Sequence, residues 1–432
     1  MKGFMIAADR SGSGKTTVTT GILRELVRTV QNVAPFKCGP DYIDTLHHSR
    51  AAGRPAHNLD TVMLSEDQVR EVFRVGAFGA DICVAEGVMG FFDGIRPDGF
   101  YGSSHHVASV IGMPVVLVMN CASTSYSVAA TLRGFQVMSD VPVAGVILNN
   151  VASGNHEKLL KEAIRMHTDI PVLGCVPRQG ELIGSRHLGI KTAFEVDNRY
   201  MDRCADLVCE YIDMNRLKEL TVDVVPIEKD VQAEDKVCYV AYDKAFNFYY
   251  EANFYELQKR GYSIKKFSPL ADERVDGADM VYLGGGYPEL YAEDLAECTG
   301  FLRSVSDFSE SGKPVLAECG GMMALTKGIH TESGFCEMAG IFDAECRMME
   351  KRQALGYVRA FNNDYEGLVG HEFHYSKLEN VNENYFFNLE KLTNKKLTQD
   401  GFLKGKTYGG YAHFHFMSDP TILDIIMERQ HG

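Results

Sequence analysis

Phe4–Leu23 reads FMIAADRSGSGKTTVTTGIL: an apolar run, a loop dense in glycine and hydroxyl residues, and an amphipathic stretch opening on Lys15. Glycine frees consecutive backbone amides to converge on an anion where a helix begins, so a strand–loop–helix of this composition is a phosphate cradle. Within SGSGKTT, Ser11–Thr17, Gly12 and Gly14 shape the loop around Ser13. Lys15 is placed for the terminal phosphates of a nucleotide, and the hydroxyl of Thr16, followed by Thr17, is the expected magnesium ligand. The common pattern GxxxxGKT/S would put glycine at position 9, where this chain has Asp9. The helix is expected over Val18–Thr29.

Outward from this loop, Phe4–Ala8, Asp81–Ala85, Val115–Met119, Val143–Leu148 and Val172–Val176 are short apolar runs, each followed by a helix candidate. Runs of that length without alternation suit parallel strands buried on both faces, so the first half predicts a doubly wound α/β sheet. DICVAEG, Asp81–Gly87, ends its strand on Glu86, where a carboxylate would stand beside a metal at the sheet edge. KCGPDYID, Lys37–Asp44, offers Asp41 and Asp44 as metal or substrate contacts around Tyr42, and Lys37 adds positive charge near the phosphates.

Arg216–Lys236 is charged and less regular, and Glu228–Lys236 reads as a linker, which sets domains of 1–230 and 231–432. A second α/β series begins at Val237–Tyr242 and continues with Met280–Leu283 and Val315–Ala317. AECGG, Ala317–Gly321, puts Cys319 at the exit of the last of these strands. A sharp strand-to-helix turn there exposes a nucleophile and frees the Gly320 amide as an oxyanion donor. The glycine run LGGGYPE, Leu283–Glu289, offers a second donor, for which Gly285 is the candidate. A thiol needs a base to act as thiolate, and His413 in YAHFHF, Tyr411–Phe416, is the candidate.

The 432 residues exceed one ordinary core and suit two domains. A net charge of −14 argues against nucleic acid as the main partner, since a phosphate-binding surface needs a basic excess. No apolar run reaches the ~18 residues that span a bilayer, and the longest, Val107–Ala122, is broken by Pro114, so neither a membrane nor a secretory leader is expected and the location reads as cytoplasmic. None of the eleven cysteines forms a CxxC pair or a zinc-type cluster with histidine, and most lie in apolar runs as small buried hydrophobes.

These motifs are joined by GPDYID, AEGVMGFFDG at Ala85–Gly94, RHLGI at 186–190, AFNFYY at Ala245–Tyr250 and HEFHYS at His371–Ser376. Together they make the chain resemble, over nearly its whole length, the cobyrinic acid a,c-diamide synthase family, glutamine-dependent amidotransferases of corrinoid biosynthesis. The resemblance implies an N-terminal ATPase domain of the dethiobiotin-synthetase type and a C-terminal class I glutaminase domain. It implies ATP and Mg2+ as cofactors, with L-glutamine and a tetrapyrrole polycarboxylate as substrates. Lys15 and Thr16 would hold phosphate and magnesium, Asp41 and Glu86 would lie near the metal, and Asp93 near the acceptor carboxylate. Asn149 or Asn150, ending GVILNN, falls where related ATPases contact adenine. Cys319 would be the nucleophile and His413 its base. A homodimer is left open, with no dimerisation motif to read.

Two further departures from relatives stand out. Asn120 follows its strand where an aspartate is common, and His415 occupies the place, two residues after the catalytic histidine, where class I glutaminases usually carry glutamate. The second leaves Cys319 and His413 as a dyad. Such a chain would activate a carboxylate with ATP while ammonia, released from glutamine through a thioester, travels to it without becoming ammonium. Two other readings remain at this stage. One is the same chemistry on another tetrapyrrole, Ni-sirohydrochlorin or hydrogenobyrinic acid, and the other is a partition-type ATPase without glutaminase activity.

Overall fold

A computed structural model describes residues 1–29, 32–179, 198–222 and 235–428. The chain forms two compact units, Met1–Lys229 and Asp230–Gly432. The expected boundary at residue 230 and the segment 186–190 lie outside the described residues, as does most of the expected linker.

In the first unit, seven parallel strands form one sheet: β1 (Lys2–Ala8), β2 (Val33–Cys38), β3 (His57–Leu59), β4 (Ile82–Glu86), β5 (Val115–Asn120), β6 (Val143–Val151) and β7 (Val172–Pro177). Their order is β3-β2-β4-β1-β5-β6-β7. The buried pattern of β1, with only Lys2 exposed, follows from its central place between β4 and β5. The strand order reverses about β1, with β4, β2 and β3 to one side and β5, β6 and β7 to the other, and in such sheets ligands bind at the carboxyl ends of the strands flanking the reversal. The helices α1 (Lys15–Thr29) and α2 (Ile43–Ala52) start at that edge. The apolar side of α1, with Val18, Ile22 and Leu26, packs on Phe4 and Ile6 of β1 and on Tyr200 and Val208 of the helix Asn198–Tyr211.

The expected strands of this unit are all present, with β4 reaching Glu86 and β6 running to Val151. Two more, β2 and β3, widen the sheet beyond the reading of the apolar runs; β2 contains Pro35, and β3 is three residues long.

The second unit is built on a six-stranded sheet whose order is Tyr262–Phe267, Lys236–Ala241, Met280–Leu283, Val315–Glu318, Thr407–Gly410, Phe402–Lys404. All neighbours are parallel except the last pair. To this α/β core the chain adds three smaller sheets that the sequence reading lacks: five antiparallel strands running from Leu397–Asp400 to His413–Phe414, four strands that include Thr326–His330 and Phe342–Met348, and the antiparallel pair of Phe246–Phe248 with Gly285–Gly286. Cross-strand pairing over long sequence separations makes these sheets, and Ala354–Phe361 alternates burial only in part.

Gly321 fixes the approach of the helix Gly320–Leu325 to the sheet. A Cβ there would stand 2.0 Å from the carbonyl oxygen of Leu283, a backbone atom that cannot give way. Gly321→Ala is expected to cost about 3 kcal/mol in the second unit. The measurement is a chemical-denaturation midpoint, and an unshifted midpoint contradicts this packing.

Candidate active sites

The phosphate loop is braced by the residue that breaks the pattern. Ser13 Oγ donates to Asp9 Oδ1 at 2.6 Å, and the same oxygen accepts from the Asn120 amide at 3.4 Å. From the next strand Asn149 Nδ2 donates to the Ser13 carbonyl at 2.8 Å, so its amide group is used in shaping the loop. Asn150 Nδ2 donates to Asn120 Oδ1 at 3.0 Å, linking the two asparagines that end β5 and β6. Lys15 is buried, and its Nζ donates to the Met89 carbonyl at 2.6 Å. Burial is the main cause holding its pKa below the usual lysine value, partly offset by Glu86.

Sheet register explains the charge cluster beneath the loop. Lys37 on β2 and Glu86 on β4 are direct partners across adjacent parallel strands, a spacing of ~5 Å. Lys37 Nζ donates to Glu86 Oε1 at 2.9 Å and to Asp44 Oδ2 at 2.6 Å. Thr16, at the start of α1, brings its hydroxyl to 2.9 Å from Glu86 Oε1 and 3.3 Å from Asp44 Oδ2. His48, fully buried on α2, sets Nε2 2.6 Å from Glu86 Oε2. Burial opposes ionisation of both groups, but the surrounding charges win: Lys37, then His48, hold Glu86 well below the usual carboxylate range, and Asp44, then Glu86, hold Lys37 well above the usual ammonium range.

Of the remaining expected residues, Asp41 turns into α2 and accepts the Asp44 amide at 2.9 Å; burial, then the charge of Asp44, pushes its carboxyl up to about 6. Tyr42 is buried at the N-terminus of α2 and Thr17 is half-buried on α1. Asp93 is exposed, and its Oδ2 accepts the Gly90 amide at 2.9 Å beside the loop that carries Met89. Asp44, placed among the substrate contacts from sequence, stands with Thr16 and Glu86, while Asp41 uses its Oδ1 at the helix start. His48 was passed over, since nothing local to HHSRAA marks a histidine that will face a strand 38 residues on.

Magnesium favours a few oxygen donors completed by phosphate and water. Thr16 Oγ1 with the carboxylates of Glu86 and Asp44 is such a set, and among the described residues no cluster of three or more His, Cys, Asp or Glu offers an all-protein cage.

At the second site, Cys319 adopts φ 50° and ψ −106°, a strained elbow between the strand Val315–Glu318 and the helix Gly320–Leu325. Its amide donates to the Gly410 carbonyl at 2.7 Å, which ties the elbow to the strand leading into YAHFHF. The thiol is buried, and burial, then the charge of Glu289, holds it protonated well above its ordinary pKa. Gly285 lies under the imidazole of His413: a Cβ there would be 2.5 Å from Cε1 and 3.2 Å from Nε2. The Gly286 nitrogen would be 3.2 Å from a Cβ at Gly320, so the glycine run borders both the histidine and the elbow. The expected donor Gly285 therefore borders the base, and the next residue's nitrogen borders Gly320.

HEFHYS turns out to be the neighbour of YAHFHF. His371 pairs with His413 across antiparallel strands, and His374 stacks flat on Tyr411 at 3.8 Å. Burial, then His413, pushes His371 down to about 3. His415 is fully buried with its ring 5.1 Å from that of Tyr250, and burial keeps it neutral, down to about 3. An acidic side chain at ion-pair distance from His413 is Glu318, missed by sequence reading although it precedes the nucleophile: Oε2 lies 3.7 Å from Nδ1.

A nucleotide loop with an acidic edge in one unit, and a thiol elbow and a histidine bordered by one glycine run in the other, are the two working parts of a glutamine-dependent amidotransferase. Residues 4–189 match the CobQ/CobB/MinD/ParA nucleotide binding domain, and residues 237–421 match the CobB/CobQ-like glutamine amidotransferase domain. The chain is 39% identical over 444 residues to the cobyrinate a,c-diamide synthase of Streptococcus sanguinis, covering 98% of each chain. The protein of that name from Picrophilus torridus is 39% identical over 435 residues, 97% of this chain and 96% of the other. The chain belongs to the cobyrinate a,c-diamide synthase family.

Proposed function

We propose that the chain amidates the a- and c-side-chain carboxylates of cobyrinic acid, using ATP to activate each carboxylate and glutamine as the source of ammonia. The observation that carries this reading is the full-length similarity to cobyrinate a,c-diamide synthases in a chain that keeps both sets of reacting groups: Thr16 on Glu86, and the Cys319 elbow with His413. Lys15 and the loop amides bind the nucleotide phosphates, and Asp93 stands for the contact to the acceptor. Thr16, Glu86 and Asp44 would hold magnesium, which when bound neutralises charge on the phosphates. Phosphorylation gives the carboxylate a leaving group, and ammonia displaces phosphate to form the amide. Lys37 lies where it would balance Glu86 and Asp44 in the absence of metal and reach phosphoryl oxygens in its presence.

In the second unit the thiol of Cys319 gives its proton to His413 and attacks the glutamine side-chain carbonyl; ammonia leaves, and water returns glutamate. The Gly320 amide, with one from the glycine run 284–286, would receive the oxyanion. The domain division at residue 230, a cytoplasmic location and a homodimer belong to the same proposal. Among the described residues no helix is long and apolar enough to cross a membrane. The partition-type alternative is disfavoured by the amidotransferase domain at residues 237–421.

The test is mass spectrometry of reactions with ATP, glutamine and cobyrinic, hydrogenobyrinic or nickel-sirohydrochlorin substrates. The expected result is conversion of two carboxylic acids to amides on cobyrinic acid, with phosphate release that depends on it. Preferred diamidation of the nickel or metal-free macrocycle reassigns the substrate, and no amidation of any of them overturns the reading.

A further inference from the structure

His413 lacks the usual acidic partner two residues on, because His415 fills that place and is buried as a neutral ring against Tyr250. We infer that Glu318, the residue immediately before the nucleophile, is the positioning carboxylate of His413. The inference rests on the glutaminase role proposed for this unit. It adds a third member to what the sequence presents as a dyad.

Glu318 is 1% exposed, and a carboxylate at that depth persists only where donors hold it. Two do. Phe414 donates its amide to Oε1 at 3.0 Å, and Tyr282 donates its hydroxyl to Oε2 at 2.7 Å. Both donors are anchored. Asn253 Nδ2 donates to the Phe414 carbonyl at 2.9 Å and stands 3.4 Å from the Tyr282 hydroxyl, while Asn253 Oδ1 accepts the Phe416 amide at 2.8 Å. One buried asparagine therefore ties the carboxylate's holders to the strand of the histidine. The remaining reach of Oε2 is toward His413 Nδ1, 3.7 Å away.

The orientation of the ring agrees with this role. Its Cε1–Nε2 edge lies on Gly285 and its Nδ1 side on Glu318, which puts Nε2 on the glycine run that also borders the elbow and makes it the nitrogen proposed to serve the thiol. A carboxylate on Nδ1 selects the tautomer with the proton there and stabilises the imidazolium formed during reaction. The strained φ at Cys319 turns the chain sharply between Glu318, whose carboxylate faces Nδ1, and the nucleophile, so that in this proposal the two adjacent residues use opposite nitrogens of one imidazole.

The proton accounting is closed. Nε2 takes the proton of the Cys319 thiol as the C–S bond to the glutamine carbonyl forms, and the imidazolium, its Nδ1–H toward Glu318, returns that proton to the nitrogen as the C–N bond breaks. Glu318 itself gains no proton. The titratable groups that face the pair are Glu318 and Tyr282 from the parallel sheet, His371 from the antiparallel neighbour, Glu289 after the glycine run, and Asp400, which accepts the amides of Tyr411 and Ala412.

Glu318→Gln in the full chain keeps the side chain's shape and an acceptor while removing its charge. Glutamate release should fall about a hundredfold in kcat with KM for glutamine nearly unchanged. Alkylation of Cys319 by iodoacetamide, followed against pH, should show its His413-dependent step about one unit lower, since the imidazolium loses its counter-charge. Amidation driven by ammonium salts should persist, because that reaction bypasses the thiol. A kcat within about threefold of the parent, or an unmoved alkylation step, overturns the inference. Should the glutamine variant not fold, Tyr282→Phe, which frees the carboxylate without discharging it, should still lower kcat for glutamate release about tenfold. An unchanged kcat there also overturns the inference. Neither assay needs a corrinoid, so failure of the proposed substrate leaves this test standing.

Discussion

Cys319→Ala should abolish product formation from glutamine and leave formation from ammonium salts intact. The expected loss in glutamate release is about a millionfold, the scale on which a nucleophile acts when its base and oxyanion site remain. The variant should fold: Cys319 contributes a buried atom to the apolar cluster of the second unit, but the contacts that set the elbow are backbone, the Cys319 amide on Gly410 and the Gly321 approach to Leu283. Added ammonia replaces the missing product of the thiol reaction, and the phosphate loop, made wholly from the first unit, is untouched. The assay compares both nitrogen donors at saturating ATP and cobyrinic acid. Equal loss with both would show that Cys319 is needed for something other than releasing ammonia. The resting thiol is protonated, held so by burial and Glu289, so its reactivity waits on proton transfer to His413.

The phosphate loop was legible because every part of its signal is local. An apolar strand, two glycines, a lysine and two threonines occur within 14 residues, and the fold does with them what that order dictates. Glu86 was legible as the last residue of a buried strand. Its partnership with Lys37 was not, since it depends on β2 and β4 being neighbours in register across 49 residues of chain. Asp9 looked like a defect of the motif. It is a brace that fastens Ser13 from below, a role visible only once β1 and β5 lie side by side.

The cysteine site shows the same division. AECGG announced a turn at the end of a strand, and the elbow is there. What joins it to YAHFHF is the parallel pairing of Val315–Glu318 with Thr407–Gly410, which sets Glu318 opposite Gly410, three residues before His413. Counting along the chain from His413 reached His415 and stopped. The acidic side chain near His413 comes from the other direction, through the sheet. The antiparallel strands that hold HEFHYS against the histidine were likewise hidden, because their alternation is weak and the pairing of His371 with His413 joins strands far apart in the chain.

Lys15→Ala should lower ATP-dependent amidation about a thousandfold with either nitrogen donor, while glutamate release by the second unit persists. The loop's shape does not rest on this side chain. Ser13 is tied to Asp9, the Ser13 carbonyl to Asn149, and the first turn of α1 closes through Val18 onto Gly14. What the lysine supplies is a charge at the phosphates and one hydrogen bond, from Nζ to the Met89 carbonyl. Its removal leaves that carbonyl at a half-buried turn, a cost of about 1 kcal/mol, too small to unfold the unit. Lys15→Gln separates the two contributions by keeping a donor for Met89 without the charge. If the charge is what matters, glutamine is as inactive as alanine although its thermal midpoint stays near that of the parent. Phosphate release dependent on cobyrinic acid is the direct readout, followed beside glutamate release in the same samples. Undiminished amidation in either variant would remove Lys15 from the phosphoryl transfer and leave Lys37, the other buried cation on Glu86, to carry the charge alone.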